Sequence, residues 1–346
     1  MIRTRQLTKT FEVSRTETVH AVRDLDLDIA PGELVAVLGP NGAGKTTTLR
    51  MLTTLIRPTA GSATVAGHDV TTHPAQVRRS IGYVGQGNGA GHTQRVLDEL
   101  VTQGVVYGLP RRTARDRAHE LADSLHLTDL ARRKVSDLSG GQRRRLDVAL
   151  GLVHAPRLLF LDEPSTGLDP HSRANLWEHI LRLRREHGMT LVLTTHYLDE
   201  ADQMAERVVV VDHGRIIADD TADALKRDLA GDRVHAEVPP GPQAAADASR
   251  LAEVVGRLPG AREVQVEGHT VQARVTDGPA GVVELVRAAT AGGLDLARVQ
   301  AVQPTLDDVF LELTGRSLRE QAVTDPLTTD PLTTQGDAPV AGKDAA

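Results

Sequence analysis

Glu33–Arg50, ELVAVLGPNGAGKTTTLR, is the stretch that decides the fold. Its first part, ELVAVLG (Glu33–Gly39), is a continuous apolar run ending in glycine, the pattern of a central parallel strand covered on both faces. A helix is predicted from Lys45, with Leu49, Leu52 and Ile56 on one side. Between strand and helix, Gly39, Gly44, Lys45 and Thr46 fill the fixed positions of the phosphate-loop pattern. Glycines let backbone N–H groups close around a phosphate, and the helix start adds a favourable dipole. Nucleotide contacts are therefore expected from Gly39, Pro40, Asn41, Gly42, Ala43, Gly44, Lys45, Thr46 and Thr47. Lys45 reaches the β- and γ-phosphates in this reading, and the Thr46 hydroxyl holds Mg²⁺.

A second apolar strand, LLFLDEP (Leu158–Pro164), delivers Asp162 and Glu163 at its carboxyl end, where parallel strands present ligands. Asp162 suits Mg²⁺ through water, and Glu163 beside it is placed to take a proton from an attacking water. A second glycine-started helix, DLSGGQRRRLDVAL (Asp137–Leu150), raises a question of stoichiometry. Its orphan N–H groups and the Ser139 hydroxyl can bind a phosphate, yet the chain has parts for one nucleotide site only. Taken alone, the stretch also reads as an ordinary helix start, with Leu146, Leu150 and Val153 as its buried stripe. Arg143, Arg144 and Arg145 are expected on a solvated face, with membrane-proximal charge as the alternative.

Working outward, residues 1–30 read as antiparallel strands, because Leu25, Leu27 and Ile29 alternate with Asp24, Asp26 and Asp28. GSATVAGHDV (Gly61–Val70) suggests a hairpin. From 87 to 155 the pattern turns helical. Thr113 and Asp116 suggest a capping box there, ahead of the stripe Ala118, Leu121, Ala122 and Leu125. Strands return with RLLFLD, TLVLTT and RVVVVD, the last folding back through HGRII. After about Gly231 come strand-like RVHAEV and EVQVEGHTVQARV, a turn at Gly268-His269, and a helix, GVVELVRAATAGG. The amphipathic TLDDVFLELTG closes this unit near Gly315. The expected domains are 1–230, with a helical part at about 87–155; a small α+β unit at 231–318; and a disordered tail, 319–346. In that tail TDPLTTDPLTT is a duplicated, low-complexity stretch.

Composition bounds the partners. Aromatic residues make up 2% of the chain, so Leu, Val, Ile and Ala must build its cores. A net charge of −6 gives no reason to expect nucleic acid. Zero cysteines exclude disulfides and thiolate metal sites. MIRTRQLTKTF lacks the apolar run of a secretory signal, and the longest apolar stretches are strand-sized. Any work at a membrane is expected to need another chain to span it.

The set GPNGAGKTT, LSGGQ, LLFLDEP, STGLD and TTHYLDEAD resembles the ATP-binding subunit of ABC transporters, over roughly residues 1–225. LSGGQ separates that family from other phosphate-loop ATPases. PTLDDVFLELTG (Pro304–Gly315) is similar to the ending of daunorubicin/doxorubicin-resistance-type exporter subunits. The resemblance implies an α/β phosphate-loop core with an antiparallel β subdomain and a helical insert. By position it implies that Gln86 senses Mg²⁺ and the attacking water, that His196 contacts the γ-phosphate, and that Asp169 communicates between paired sites. Phe11 in KTFE aligns with the aromatic that stacks on adenine. It further implies that Ser139, Gly140, Gly141 and Gln142 serve the ATP of a second copy, so two chains pair head to tail and share two sites.

The implied function is ATP binding and hydrolysis driving export through a separately encoded ABC-2-type permease, at the cytoplasmic face of the cell membrane. The cargo class expected is a drug or antibiotic, with lipid or sodium ions as the alternative. A soluble ABC ATPase of DNA repair, chromosome organisation or translation is the different-class alternative. The chain lacks that group's sustained heptads, zinc cysteines and second cassette. Downstream of Gln86, GNGAGHTQRVLDEL suggests a mobile permease-docking loop, with Asp98–Leu100 in place of an ENL-like element.

Overall fold

The computed structural model describes residues 1–14 and 17–317. The expected tail, 319–346, lies outside the described residues. Strands β1 (Ile2–Glu12) and β2 (Thr18–Ile29) pair antiparallel, and β3 (Leu34–Leu38) then leads through the glycine loop into α1 (Lys45–Leu52). Next come β4 (Ala60–Val65), β5 (His68–Asp69), α2 (Pro74–Ser80) and β6 (Ile81–Val84). Helices α3 (Val96–Val106), α4 (Arg111–Ser124) and α5 (Gly140–Leu152) stand between β6 and β7 (Leu158–Asp162). The core continues with α6 (Pro170–His187), β8 (Thr190–Thr195), α7 (Leu198–Met204), β9 (Arg207–Asp212), β10 (Arg215–Asp220) and α8 (Ala222–Leu225). The remainder is β11 (Asp232–Glu237), α9 (Ala244–Val255), β12 (Arg262–Glu267), β13 (Thr270–Val275), α10 (Gly278–Ala291), β14 (Arg298–Val302) and α11 (Leu306–Thr314).

Among the described residues three sheets form, ordered β2-β1-β4-β5, β10-β9-β3-β8-β7-β6 and β12-β13-β11-β14. In the second, β3 lies parallel between β8 and β9, as its all-apolar sequence requires. Its side chains alternate between two cores. Leu34, Ala36 and Leu38 face the helical side, with α5 and Trp177 of α6. Val35 and Val37 face α1 and the first sheet, where Leu25, Leu27 and Ile29 of β2 are buried while Asp24, Asp26 and Asp28 stay exposed. The fold class expected from sequence is therefore what the chain adopts. The third sheet, strand-helix-strand-strand-helix-strand, has the split βαβ order and a core of its own under α9 and α10.

Local details differ from the sequence reading in three places. Helix α1 ends at Leu52, so Ile56 lies in the turn beyond it. Helix α4 starts earlier than the capping box proposed at Thr113. Pro110 is its N-cap, Ala114 N donates to Pro110 O (2.8 Å), and no side chain caps the end. Thr113 thus already has helical backbone and cannot act as a cap. Helix α11 does more than close the last unit. Its Leu306, Val309 and Phe310 enter the core that holds Trp177, whereas Glu312 pairs with Arg274 of β13 (2.8 Å). Beyond α11, Arg316 donates to both Asp212 oxygens (2.7 and 2.8 Å) at the end of β9.

Candidate active site

The loop after β3 can turn only because of its glycines. Gly44 has φ +101°, and a Cβ there would meet Ala21 O at 2.3 Å. Helix α1 opens directly after it with no side-chain cap, so its first N–H groups have no side-chain acceptor. Lys45 is 5% exposed, and its ammonium folds back over the loop, donating to Gly39 O (2.7 Å) and Pro40 O (3.0 Å). Burial lowers its pKa, although Glu163 and Asp162 oppose that. An anion bound in the loop would relieve this buried charge.

Strand β7 brings the carboxylates against that loop. Asp162 is buried, and its Oδ1 accepts from Thr46 Oγ1 (2.9 Å) and Thr194 Oγ1 (2.6 Å). Its Oδ2 has a longer bond from the Tyr83 hydroxyl (3.4 Å). Burial pushes the Asp162 carboxyl up, against those hydroxyl bonds. Glu163 follows in left-handed backbone, φ +48°, held by its N–H to Thr194 O and Thr194 Oγ1, both 3.1 Å. Its Oε1 lies 3.7 Å from Lys45 Nζ and its Oε2 3.4 Å from His196 Nδ1. Burial alone would raise this carboxyl, but His196 and Lys45 outweigh it and hold it below the usual range. Gln86 Nε2 approaches Thr46 Oγ1 at 3.4 Å. Lys45, Thr46, Gln86, Asp162, Glu163 and His196 thus form one cluster at the carboxyl ends of β3, β6, β7 and β8.

The other expected residues stand apart. No hydrogen bond or ion pair among the described residues joins Ser139–Gln142, Asp169 or Phe11 to that cluster. Ser139 caps α5 in a capping box, with Ser139 N donating to Gln142 Oε1 (3.0 Å) and Gln142 N to Ser139 Oγ (3.4 Å). A Cβ on Gly140 would meet nothing within 4 Å, whereas one on Gly141 would meet Ser172 Oγ at 2.9 Å. The Gly140 side is open. Asp169 caps α6, accepting from Ser172 N (2.9 Å) and Ser172 Oγ (2.6 Å). Phe11 is 39% exposed on β1, with Lys9 Nζ 4.9 Å from its ring centre, and so belongs to no core.

Two sequence expectations need correction. Arg143–Arg145 is not a solvated face. Arg144 is buried and donates to four backbone carbonyls, Arg145 bonds Asn175 Oδ1 (2.8 Å), and Arg143 bonds Ala90 O (3.1 Å). The loop after Gln86 is tethered rather than slack. Gly89 N and Ala90 N donate to Asp147 Oδ1 (3.0 and 3.1 Å), and Gly91 N donates to Glu99 Oε1 (2.7 Å). Its glycines admit those carboxylates, since a Cβ on Gly89 or Gly91 would stand only 3.4 or 3.3 Å from them.

Sequence reading missed Glu200 altogether. This buried carboxylate accepts from Ser165 Oγ, Trp177 Nε1 (3.1 Å) and Thr195 Oγ1 (2.8 Å), joining the segment before Asp169 to the one carrying His196. The available signal was its position between Leu198 and Ala201 on the inward side of a short helix.

Residues 22–166 match the ABC transporter family. A daunorubicin resistance ATP-binding protein of Streptomyces coeruleorubidus is 43% identical, covering 87% of this chain and 94% of its own length. A doxorubicin resistance ATP-binding protein of Mycobacterium tuberculosis is 40% identical, over 92% of this chain and 93% of its own. A solved dimeric ATP-binding cassette in a post-hydrolysis state bound to ADP and Pi superposes with a TM-score of 0.59 at 26% identity. It covers 64% of this chain and 98% of that one. ATP-binding subunits of this family dimerise and work with a separate membrane permease. Among the described residues no helix is long and apolar enough to cross a membrane. The chain belongs to the ABC transporter family, as an ATP-binding and ATP-hydrolysing exporter subunit of the daunorubicin/doxorubicin-resistance type.

Proposed function

We propose that this subunit powers efflux of a drug-like or antibiotic-like compound through an ABC-2-type permease, at the cytoplasmic face of the cell membrane. The cargo class rests on the drug-resistance names of the relatives. Residues 1–230 act as the motor, with residues of about 87–155 docking the permease, and 231–318 form an accessory unit.

One observation carries the catalytic reading: Glu163 is held between Lys45 and His196, beside the buried Asp162–Thr46 pair. In this assignment the loop Gly39–Thr47 wraps the phosphates and Lys45 leaves its two carbonyls for the β- and γ-oxygens. Mg²⁺ would be held by Thr46 and Asp162, with Gln86 beside them. An all-oxygen set with one carboxylate suits Mg²⁺. Glu163, kept ionised by its neighbours, takes the proton of the attacking water. His196 meets the γ-phosphate. Phe11, exposed on β1, stacks on adenine. Ser139–Gln142 and Asp169 act across a dimer interface, in keeping with their separation from the cluster.

Glu163→Gln tests the core of this assignment. Shape is retained and only the base is lost, so hydrolysis should fall by roughly 10²-fold or more. Fluorescent-nucleotide binding should stay near wild type. Turnover close to wild type would remove Glu163 from the role.

A further inference from the structure

Arg144 occupies an unusual place for a cation. It is 8% exposed, and the carboxylate that pairs with it, Asp147, is 4.0 Å away. Its guanidinium is instead satisfied by carbonyls. Nε donates to Pro164 O (2.5 Å), Nη1 to Gly85 O (2.7 Å), and Nη2 to Asp162 O and Glu163 O (3.3 Å each). One side chain therefore grips three consecutive residues at the end of β7 and the residue before Gln86. Asp147, one turn along α5, accepts from Gly89 N and Ala90 N at the other end of the Gln86 loop. Two charges of one helix hold both ends of that loop.

The cost of burying a guanidinium makes this arrangement informative. An apolar side chain would fill the space between α5 and β7 with no desolvation penalty. The planar fork offers what an apolar residue lacks, fixed directions to several acceptors at once. The acceptors it fixes flank the proposed base and the proposed Mg²⁺-sensing glutamine. Glu163 moreover sits in left-handed backbone, which a non-glycine residue keeps only when its surroundings hold it there. Five and four residues before Arg144, at the start of the same helix, Ser139 and Gly140 are exposed and, among the described residues, make no hydrogen bond to their own chain's cluster.

We propose that Arg144 is a positioning residue through which helix α5 sets Gln86 and Glu163, so that a phosphate seated at Ser139–Gly141 adjusts the hydrolytic groups of the same chain's other site. The inference rests on the paired-site reading above. Each α5 then has a phosphate of one nucleotide at its start and the water-activating groups of the other nucleotide one turn further on. The two sites are coupled through a rigid helix with a buried fork on it.

Arg144→Met and Arg144→Lys test this in the full chain, with fluorescent ATP binding, steady-state kcat and KM, and the Hill coefficient for ATP measured side by side. The nucleotide affinity of the isolated subunit should stay within about twofold, because the phosphate loop does not touch Arg144. For Arg144→Met, kcat should fall at least tenfold, since displacements of about 1 Å at reacting groups cost up to about 10²-fold. Its Hill coefficient should fall to about 1. Arg144→Lys keeps one or two of the carbonyl bonds and should recover part of kcat. If Arg144→Met does not fold, Arg144→Lys and Asp147→Asn carry the same comparison. Wild-type kcat and cooperativity in the variants would overturn the proposal, as would a loss of affinity in step with kcat, which marks a merely structural role. A wild type that hydrolyses ATP without pairing would instead overturn the paired-site reading and this inference with it.

Discussion

His179 on α6 shows how strongly a single buried residue can register its surroundings. Its ring meets that of His126 edge-on at 4.6 Å. Arg182 Nη2 lies 3.1 Å from Nδ1, which must therefore be the acceptor, leaving a buried Nε2 without a partner. Burial first, then His126, Arg182 and Arg145, push its pKa down to about 4, with Glu178 opposing. A histidine depressed on folding binds its proton more readily when unfolded. Stability should therefore drop as pH falls from about 6.5 to about 4, by up to about 1.4 kcal/mol per pH unit, the limit for one proton. Urea midpoints at several pH values should show His179→Gln flattening that slope, and an unchanged slope would contradict this origin. Legibility at this scale divides by kind. Lys45, Thr46, Asp162 and Glu163 could be named from sequence because each sits at a fixed offset from a strand or helix end. Arg144, Glu200 and His179 could not, because a polar residue on a helix looks solvated until the packing of other elements is known.

At the scale of elements, amphipathicity told where helices lie but not what they lie against. Helix α11 illustrates this. A Thr305–Asp308 capping box starts it and Gly315, at φ +73°, ends it, so both limits are written locally. Its partner is not, since Leu306, Val309 and Phe310 pack into a core assembled by elements more than eighty residues earlier, roughly counted along the chain. Phe310 is fully buried there. Phe310→Ala should cost about 3–5 kcal/mol by leaving a cavity, read as a lower denaturation midpoint of the whole chain. A loss below about 1 kcal/mol would show that α11 is dispensable to that core. The glycine loop after Gln86 gives the complementary lesson. Its composition suggested mobility, yet two carboxylates approach it closely because there are no Cβ atoms in the way.

For the whole molecule, the distribution of site residues makes a statement about stoichiometry. Six of the expected groups converge, while Ser139 and Asp169 cap helices elsewhere, in keeping with the proposed sharing of each site between two chains. Lys45→Ala and Ser139→Arg should each abolish ATP-dependent pairing of identical copies. Mixed, they should form heterodimers in ATP and Mg²⁺, because a two-fold arrangement puts both defects in one site and leaves the other intact. Differently tagged variants and a pull-down decide the matter. No heterodimer above the single-variant controls, where wild type pairs, would sink the shared-site arrangement. The three-sheet plan was readable in outline from alternation and turn residues, and the bond between the last unit and the first was not.

That bond has a consequence for how the protein is made. Helix α11 leaves the ribosome about 90 residues after β10, which at about 5–20 residues per second is a delay of several seconds. Throughout that interval the nascent motor carries an apolar slot shaped for Phe310 and its neighbours. Helix α11 is the plug, so a polypeptide interrupted before it would expose a greasy cleft that chaperones and proteases read as unfinished.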